Sequence, residues 1–491
     1  MSRGWPLVWT LLVISSSGYF LSGNEADNDL WVHVRVGLDV LESGPPRVDS
    51  YSYTAATSPW IDHEWLLHLV FGVLYRAAGG PALLLFKIVL AAATVALLAL
   101  SVSRRSTSPH VRGAVLVLTV AVLARGFAIR PQVVTYAGLA ALWAFLDSEQ
   151  RDTRWRWLLV PAFALWANLH GAVVLAVATA AACSAWTLVT KPRQGILLGA
   201  ATLLGTAAAL FLNPYGIAYG SYLGSELGAP HPITEWQAIA FEAAQGSFFA
   251  MAAVFVVCLP FVRRWRERGW QVIVAAGLLG AALLQQRHTP VFAIFAAPVV
   301  AEGAAGAMAW LRSRWTFRLS QGAQAILMIG MVGVALLQLG STAQRLARDR
   351  FQIVYEPADY PVAAVQRLAA AGAAANLAVP LEWGGYALWH LAPDVKVSLD
   401  GRFVTLYPHA VVEDNFAFFS GRDAWKRLIE AYPTDAVLAH SAELPPVAAS
   451  PGWIRVYADD VATLFARAGS GIERAVPNAP AGGGAETGRF P

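Results

Sequence analysis

Eleven apolar runs, each long enough or nearly long enough to cross about 30 Å of hydrocarbon, constrain what this chain can become. They lie roughly at 5–22, 81–102, 111–128, 132–146, 157–169, 171–190, 195–212, 245–262, 270–286, 289–308 and 320–340. Inside a bilayer no water satisfies backbone N–H and C=O groups, so such runs are expected to fold as helices. The runs at 157–169 and 171–190 nearly touch at His170-Gly171, and the first of them is short. Composition agrees with a membrane protein. Apolar residues make up 56 % and charged residues 14 %, against about 25 % charged in an average soluble domain. Cys183 and Cys258 both fall in apolar runs, which argues against a disulfide scaffold or a cysteine metal site. The net charge of +4 is small, and no nucleic acid partner is expected. Arg3 precedes the first run, which is read as an uncleaved first helix rather than a signal peptide.

The charges between the runs supply a second, independent pattern. Arg3, then Arg104, Arg105 and Arg112, then Arg151, Arg154 and Arg156, then Lys191 and Arg193 fall on one side under this count. Arg263, Arg264, Arg266 and Arg268 follow on that side, as do Arg312, Arg314 and Arg318. Short basic loops face the cytoplasm. The chain is therefore expected to sit in the cytoplasmic (inner) membrane with its N-terminus on the cytoplasmic side. Segment 24–80, loop 213–244 and everything after 340 are expected outside it. The resulting fold class is a polytopic all-α membrane protein of about eleven transmembrane helices with a small extracytoplasmic α/β C-terminal domain. Three regions follow: 1–345, holding the transmembrane helices and an outer loop at 23–80; 346–467, the α/β domain; and 468–491, a Gly-, Pro- and Ala-rich tail expected to be disordered. Within the α/β domain, apolar stretches at 375–379, 395–399, 436–439, 454–457 and 462–465 read as short strands between helical pieces.

The outer loop is far larger than a connector between two helices needs to be. Asn24 to Trp65 carries eight acids, two histidines and two arginines among tryptophans and tyrosines. Leu30–Leu41 and Glu64–Ala77 have helical character, and the second is amphipathic. Asp27 and Asp29 follow the first membrane helix directly, and His33 lies one helical turn beyond Asp29. Two such carboxylates suit a shared proton, a metal, or general-base work on a hydroxyl. They also suit a plain polar cap on a membrane helix. Asp62 and Glu64 open the second helix, where acids cap well; Glu64 is also a candidate second carboxylate of the site.

Further polar groups interrupt apolar runs on the same outer side. Arg125 and Arg130 stand at the outer end of the third run, Asn168 and His170 end the fifth, and Arg287 and His288 separate the ninth from the tenth. Charges at membrane depth are costly and usually face a cavity or a partner. Arginine offers bidentate hydrogen bonds to phosphate, so Arg130 and Arg287, with Arg125 and His288, are candidate phosphate ligands. The alternative is snorkelling to lipid headgroups. Lys87 faces the cleft or snorkels. Loop 213–244, with Glu226, His231 and Glu235, is a candidate cover over the site. Glu382-Trp-Gly-Gly-Tyr386 and Asp400-Gly-Arg402 follow predicted strands, where α/β domains bind ligands; both are also ordinary turn sequences.

Taken together, these features resemble the GT-C superfamily of integral membrane glycosyltransferases. The resemblance is nearest to poorly characterised bacterial members related to protein mannosyltransferases and the lipid A aminoarabinose transferase. The residues that carry it are Asp27-Asn-Asp-Leu-Trp-Val-His33, Gly44-Pro-Pro-Arg-Val-Asp49-Ser-Tyr-Ser-Tyr-Thr54 and Pro59-Trp-Ile-Asp-His-Glu64-Trp65. Trp166-Ala-Asn-Leu-His170-Gly171, Asn213-Pro-Tyr-Gly216, Arg287-His288, Gly384-Gly-Tyr386 and Asp400-Gly-Arg402 add to it. The resemblance implies a sugar donor linked to polyprenyl phosphate or diphosphate and an acceptor hydroxyl on a glycan, lipid or protein. It implies an acid just after the first helix as base, here Asp29 or Asp27 with Asp29 favoured, and arginines that hold the donor phosphate. A divalent metal such as Mg or Mn is permitted by Asp27 and Asp29 but not demanded. The competing readings are a transporter or flippase of a lipid-linked saccharide, and a non-catalytic envelope assembly protein. A transporter would need polar residues through mid-bundle, whereas here they gather at one edge.

Overall fold

The computed structural model describes residues 4–56, 58–148, 153–226, 233–315, 319–479 and 488–491. The helices in chain order begin with α1 (Trp5–Leu21), α2 (Leu30–Ser43), α3 (Trp65–Ser103), α4 (Pro109–Leu123), α5 (Gln132–Ser148) and α6 (Leu159–Leu169). They continue with α7 (Val173–Thr190), α8 (Pro192–Phe211), α9 (Ala218–Glu226), α10 (Gly246–Cys258), α11 (Trp265–Leu284), α12 (Thr289–Arg314) and α13 (Gln321–Arg348). The C-terminal part holds α14 (Val362–Ala371), α15 (Leu381–Leu391), α16 (His409–Ser420), α17 (Arg427–Ala431) and α18 (Gly471–Asn478). Its strands are β1 (Ala375–Ala378), β2 (Val395–Val397), β3 (Ala436–His440), β4 (Trp453–Ala458) and β5 (Ala462–Arg467).

Every one of the eleven apolar runs becomes a helix. Eight helices among the described residues are long and apolar enough to cross a membrane. The other three runs are shorter: α1 and α5 have 17 residues each and α6 has 11. At a rise of 1.5 Å per residue, α6 is only about 16 Å long, roughly half the hydrocarbon thickness. It stops because His170 takes an extended backbone. The expected count of eleven full spans is thus eight full-length helices and three shorter ones.

Contacts divide the chain into two compact units. The first comprises 1–24, 83–216 and 230–351; the second comprises 25–82, 217–229 and 352–491. In the first unit α12 is the enclosed helix, packing on α4, α5, α10 and α11. Its segment from Val291 to Ala301 is buried throughout. By contrast α13 leaves Ile326, Ile329, Leu336 and Leu337 exposed, as a helix facing lipid would. At one end of this unit Arg105 is buried among Asp147, Glu302 and Gln271, with Arg268 also on Glu302. Arg105, Asp147, Arg268 and Gln271 stand at or beside helix ends, whereas Glu302 comes from the middle of α12. The pairing lets arginines enter a low-dielectric end without an uncompensated charge.

The second unit is built on a mixed five-stranded sheet of order β2-β1-β3-β5-β4, with β1 parallel to β2 and β3 and the remaining pairs antiparallel. All five strands lie where the apolar stretches placed them. The polar stretch after α1 joins this sheet. Tyr53 donates its N–H to the Val397 carbonyl (3.2 Å), and Val397 donates to the Tyr51 carbonyl (3.1 Å), so the extended piece around Ser52 runs along the open edge of β2. The sequence reading grouped 23–80 with the membrane helices; by contacts, 25–82 groups with the C-terminal residues instead. Within α3 the helix breaks at Ala78-Gly79, where Gly79 takes φ +64°, a conformation that glycine adopts at little cost. The amphipathic segment and the apolar segment are therefore distinct pieces, as their composition suggested.

The tail differs from expectation. Residues 471–478 form α18, whose Ile472 and Val476 are buried. Ser470 accepts from the Glu473 N–H (3.3 Å), and Glu473 in return accepts from the Gly469 N–H (2.5 Å). This is a reciprocal N-terminal box, and it, with the two buried apolar residues, is why the segment is ordered. Farther on, Phe490 donates its N–H to the Ile353 carbonyl (2.9 Å) and its ring lies 4.6 Å from Trp31. Residues 480–487 of the tail lie outside the described residues.

Candidate functional site

Two glycines set the geometry of the polar stretch. A Cβ on Gly37 would collide with the backbone of His68 and Gly72, and one on Gly72 would collide with the backbone of Gly37. α2 and the start of α3 therefore touch backbone to backbone. His33 precedes Gly37 by four residues and His68 precedes Gly72 by four, one helical turn in each case. Close packing at the glycines brings the two imidazoles together one turn away: His33 Nδ1 lies 2.8 Å from His68 Nε2.

Around this pair stand three more titratable groups. Asp62 is buried, accepts from the Glu64 N–H (3.1 Å) and sits 2.8 Å from His68 Nδ1. A carboxylate only accepts, so His68 carries its proton on Nδ1 and turns the lone pair of Nε2 toward His33. Glu64 Oε2 is 3.8 Å from His68 Nε2 and 4.0 Å from His33 Nδ1. Its other oxygen is 3.4 Å from His63 Nε2, and His63 Nδ1 meets the Tyr222 hydroxyl at 3.0 Å. A small cavity of about 60 Å³ opens here, lined by Asp29, His33, Trp60, His63, Glu64, His68 and Arg402 among others. That is room for a water or a single reacting group.

The C-terminal motifs of the sequence frame this cavity. A Cβ on Gly401 would strike Asp29 Oδ1, and one on Gly384 would strike the backbone of Leu399 and Asp400. Gly385 lies against Asn28 and Val32 of the α2 start. The paired glycines of α15 thus let the 399–401 turn and the start of α2 approach closely, which fixes where Asp29 points. Asp27 serves the same end, accepting from the Asp29 N–H (3.0 Å). Arg402 is clamped: it donates to Asp400 (2.6 and 2.8 Å) and to Asp49 (2.5 Å), and its guanidinium lies 4.8 Å from the Trp60 ring centre. Burial alone would raise the Asp400 carboxyl, but the Arg402 charge with hydrogen bonds from Arg402 and Tyr407 holds it below its ordinary value. For Arg402, burial lowers and the Asp400 charge outweighs it, so the guanidinium stays charged. Burial, reinforced by the Asp39 carboxylate, pushes the Tyr51 phenol well up.

The remaining predicted residues belong to the helical unit. Arg130 pairs with Glu235 (3.2 Å), and Arg287 lies over the Trp236 ring at 3.9 Å. Arg125 donates to the Ala244 carbonyl (3.0 Å) and to Gln286 (3.4 Å), and His288 contacts Gln285 (3.1 Å). Segment 237–239 hydrogen-bonds to Leu283 and Gln286, so Arg125, Arg130, Glu235, Arg287 and His288 gather at one end of this unit. His231 lies outside the described residues. Asn168 donates to the Ala164 and Leu212 carbonyls (2.7 and 3.0 Å), and His170 meets Thr135 at 2.8 Å; both tie the end of α6 to its neighbours. Lys87 is buried and donates to the Gly23 carbonyl just past α1. An apolar cavity of about 590 Å³ lies between α1, α3 and α4, with Trp9, Val95 and Arg112 in its wall.

The titratable residues of the cavity that sequence reasoning leaves out of the site are Asp62, His63 and His68. Asp62 reads as a cap, which it is, and His68 sits inside an amphipathic helix. The signal existed: His-x-x-x-Gly occurs at 33–37 and again at 68–72. For a metal the sequence offered Asp27 and Asp29. Among the described residues the donor atoms that converge are those of His33, Glu64 and His68.

No family model and no curated protein matches the chain. Among solved structures it is similar to ArnT from Cupriavidus metallidurans in the apo state, with a TM-score of 0.52 at 12 % identity over 95 % of this chain and 98 % of that one. A second structure, ArnT from the same organism bound to undecaprenyl phosphate, gives 0.49 at 13 % identity, over 96 % and 99 %. The apo likeness covers nearly the whole chain, and with the membrane-length helices and the C-terminal sheet it makes this chain an integral membrane protein with a fold like that of ArnT.

Proposed function

We propose that the protein transfers a sugar from a polyprenyl-phosphate or polyprenyl-diphosphate donor to an acceptor hydroxyl at the outer face of the cytoplasmic membrane. The observation that carries this reading is Asp29 in the wall of a small polar cavity, on the stretch that follows the first helix of a GT-C fold. In the proposed reaction Asp29 takes the acceptor proton as general base. The acceptor oxygen forms a bond to the anomeric carbon, and the bond from that carbon to the donor phosphate breaks. Bare lipid phosphate, or lipid diphosphate from a diphosphate donor, leaves and the anomeric configuration inverts.

The test is a lipid extract. Purified protein is placed in vesicles with a polyprenyl-phosphate sugar, with and without candidate acceptor hydroxyls, and the lipids are read by mass spectrometry. Bare polyprenyl phosphate that appears only with acceptor supports transfer. Intact donor moved to the other leaflet would instead mark a carrier, and no change in either would remove the reading.

A further inference from the structure

The His33–Glu64–His68 triangle is more than a hydrogen-bonded group. Its three donor atoms are separated by 2.8, 3.8 and 4.0 Å. Ligands about 2.0–2.1 Å from a tetrahedral zinc lie about 3.3 Å apart, so the set brackets that value and each separation needs to change by about 0.5–0.7 Å. The side chains are shielded, at 13 % exposure for His33, 12 % for Glu64 and 4 % for His68. Behind them, Asp62 takes the Nδ1 proton of His68 in a hydrogen bond and fixes the tautomer that aims Nε2 inward. A carboxylate behind a ligating histidine is a usual companion of bound metal, since it orients the ring and raises its basicity. The chain brings these atoms together by paired glycine contacts between two helices, which leaves little freedom for the site to spread.

We infer that His33 Nδ1, His68 Nε2 and the Glu64 carboxylate bind one divalent transition metal of the zinc class, with Asp62 as the positioning residue behind His68. Two imidazoles and one carboxylate suit zinc, whereas magnesium and calcium prefer all-oxygen sets. Three protein ligands beside a water-sized cavity leave a fourth position open. The bound ion joins α2 to α3 next to Asp29. This site stands or falls apart from the sugar-transfer reading, because it is read by metal content and not by turnover.

The full chain, purified in detergent and stripped with a chelator, is loaded with Zn²⁺, passed over a sizing column and analysed for metal. Co²⁺ titration followed by visible absorption reports the geometry. About one retained ion per chain is expected, with a tetrahedral cobalt spectrum. Asp62→Asn should keep that stoichiometry and weaken affinity about 10–100-fold. His68→Ala and Glu64→Gln should lose more than Asp62→Asn does. Asp29→Asn should bind like the parent. Glu64→Gln is nearly isosteric, so it carries the test if His68→Ala fails to run as a single species. Absence of retained metal in the parent chain, or monodisperse ligand variants that hold it undiminished, would overturn the inference.

Discussion

Arg402 is the side chain with the most to lose around the site. It bridges two fully buried carboxylates, Asp49 and Asp400, and lies against Trp60 and Tyr51. Removing one partner of such a set leaves charge uncompensated in a low-dielectric setting. Arg402→Met should therefore destabilise the second unit by about 3–5 kcal/mol, read as a fall in its thermal midpoint. Titration adds a second expectation. Burial pushes His390 down to about 4, beside Trp31 and Tyr386. Its folded value is below the ordinary 6.5, so its contribution is complete above pH 6.5 and declines as pH falls toward 4. The loss by then amounts to about 3 kcal/mol. Thermal midpoints taken across that window should slope downward with acid, and His390→Phe should flatten the slope. At this scale the sequence was legible for chemistry and not for partnership. Asp29, His33 and Glu64 follow from residue type and position, but that Arg402 pairs with Asp49 as well as with Asp400 depends on a contact across more than three hundred residues.

Among the elements, α2 and the first part of α3 matter most. Their glycine contact admits no side chain. Gly72→Leu should part the helices and cost about 1–3 kcal/mol or more from overpacking. It should also abolish metal retention while each ligand residue is still present. Gly72→Ala should do the same in smaller measure. A spin-label pair placed on the two helices would record the separation. The helices themselves were readable, because apolar periodicity and Gly44 marked their limits. Their register was not, since nothing local states which face of one helix meets the other; only the repeated His-x-x-x-Gly hinted at it. The tail shows the opposite error. Ser470-Gly-Ile-Glu473 carries a capping box that composition concealed, because one short helix was averaged into a Gly- and Pro-rich segment.

For the whole molecule, hydropathy sufficed to give helix positions, and five short apolar stretches gave every strand. Lengths were less secure: an apolar run shows where a helix lies, but His170 decides that α6 stops after 11 residues. Membership of the two units was hidden as well, because Tyr51–Tyr53 joins the edge of β2 through backbone hydrogen bonds that any side chains would permit. The positive-inside pattern predicts the orientation. A reporter fused near residue 45 should be active only outside the cytoplasm, and one in the basic loop near residue 107 only within it. The reverse pattern would remove the outer-face reaction.

Loss of turnover on changing one atom of one side chain is the most direct measurement of all. Bare polyprenyl phosphate released by the parent chain and by Asp29→Asn would be compared at equal reconstituted amounts, with sizing profiles and thermal midpoints matched. If Asp29 is the base, release should fall by about 10²–10⁴-fold with the fold unchanged. Equal release from the two proteins would contradict it.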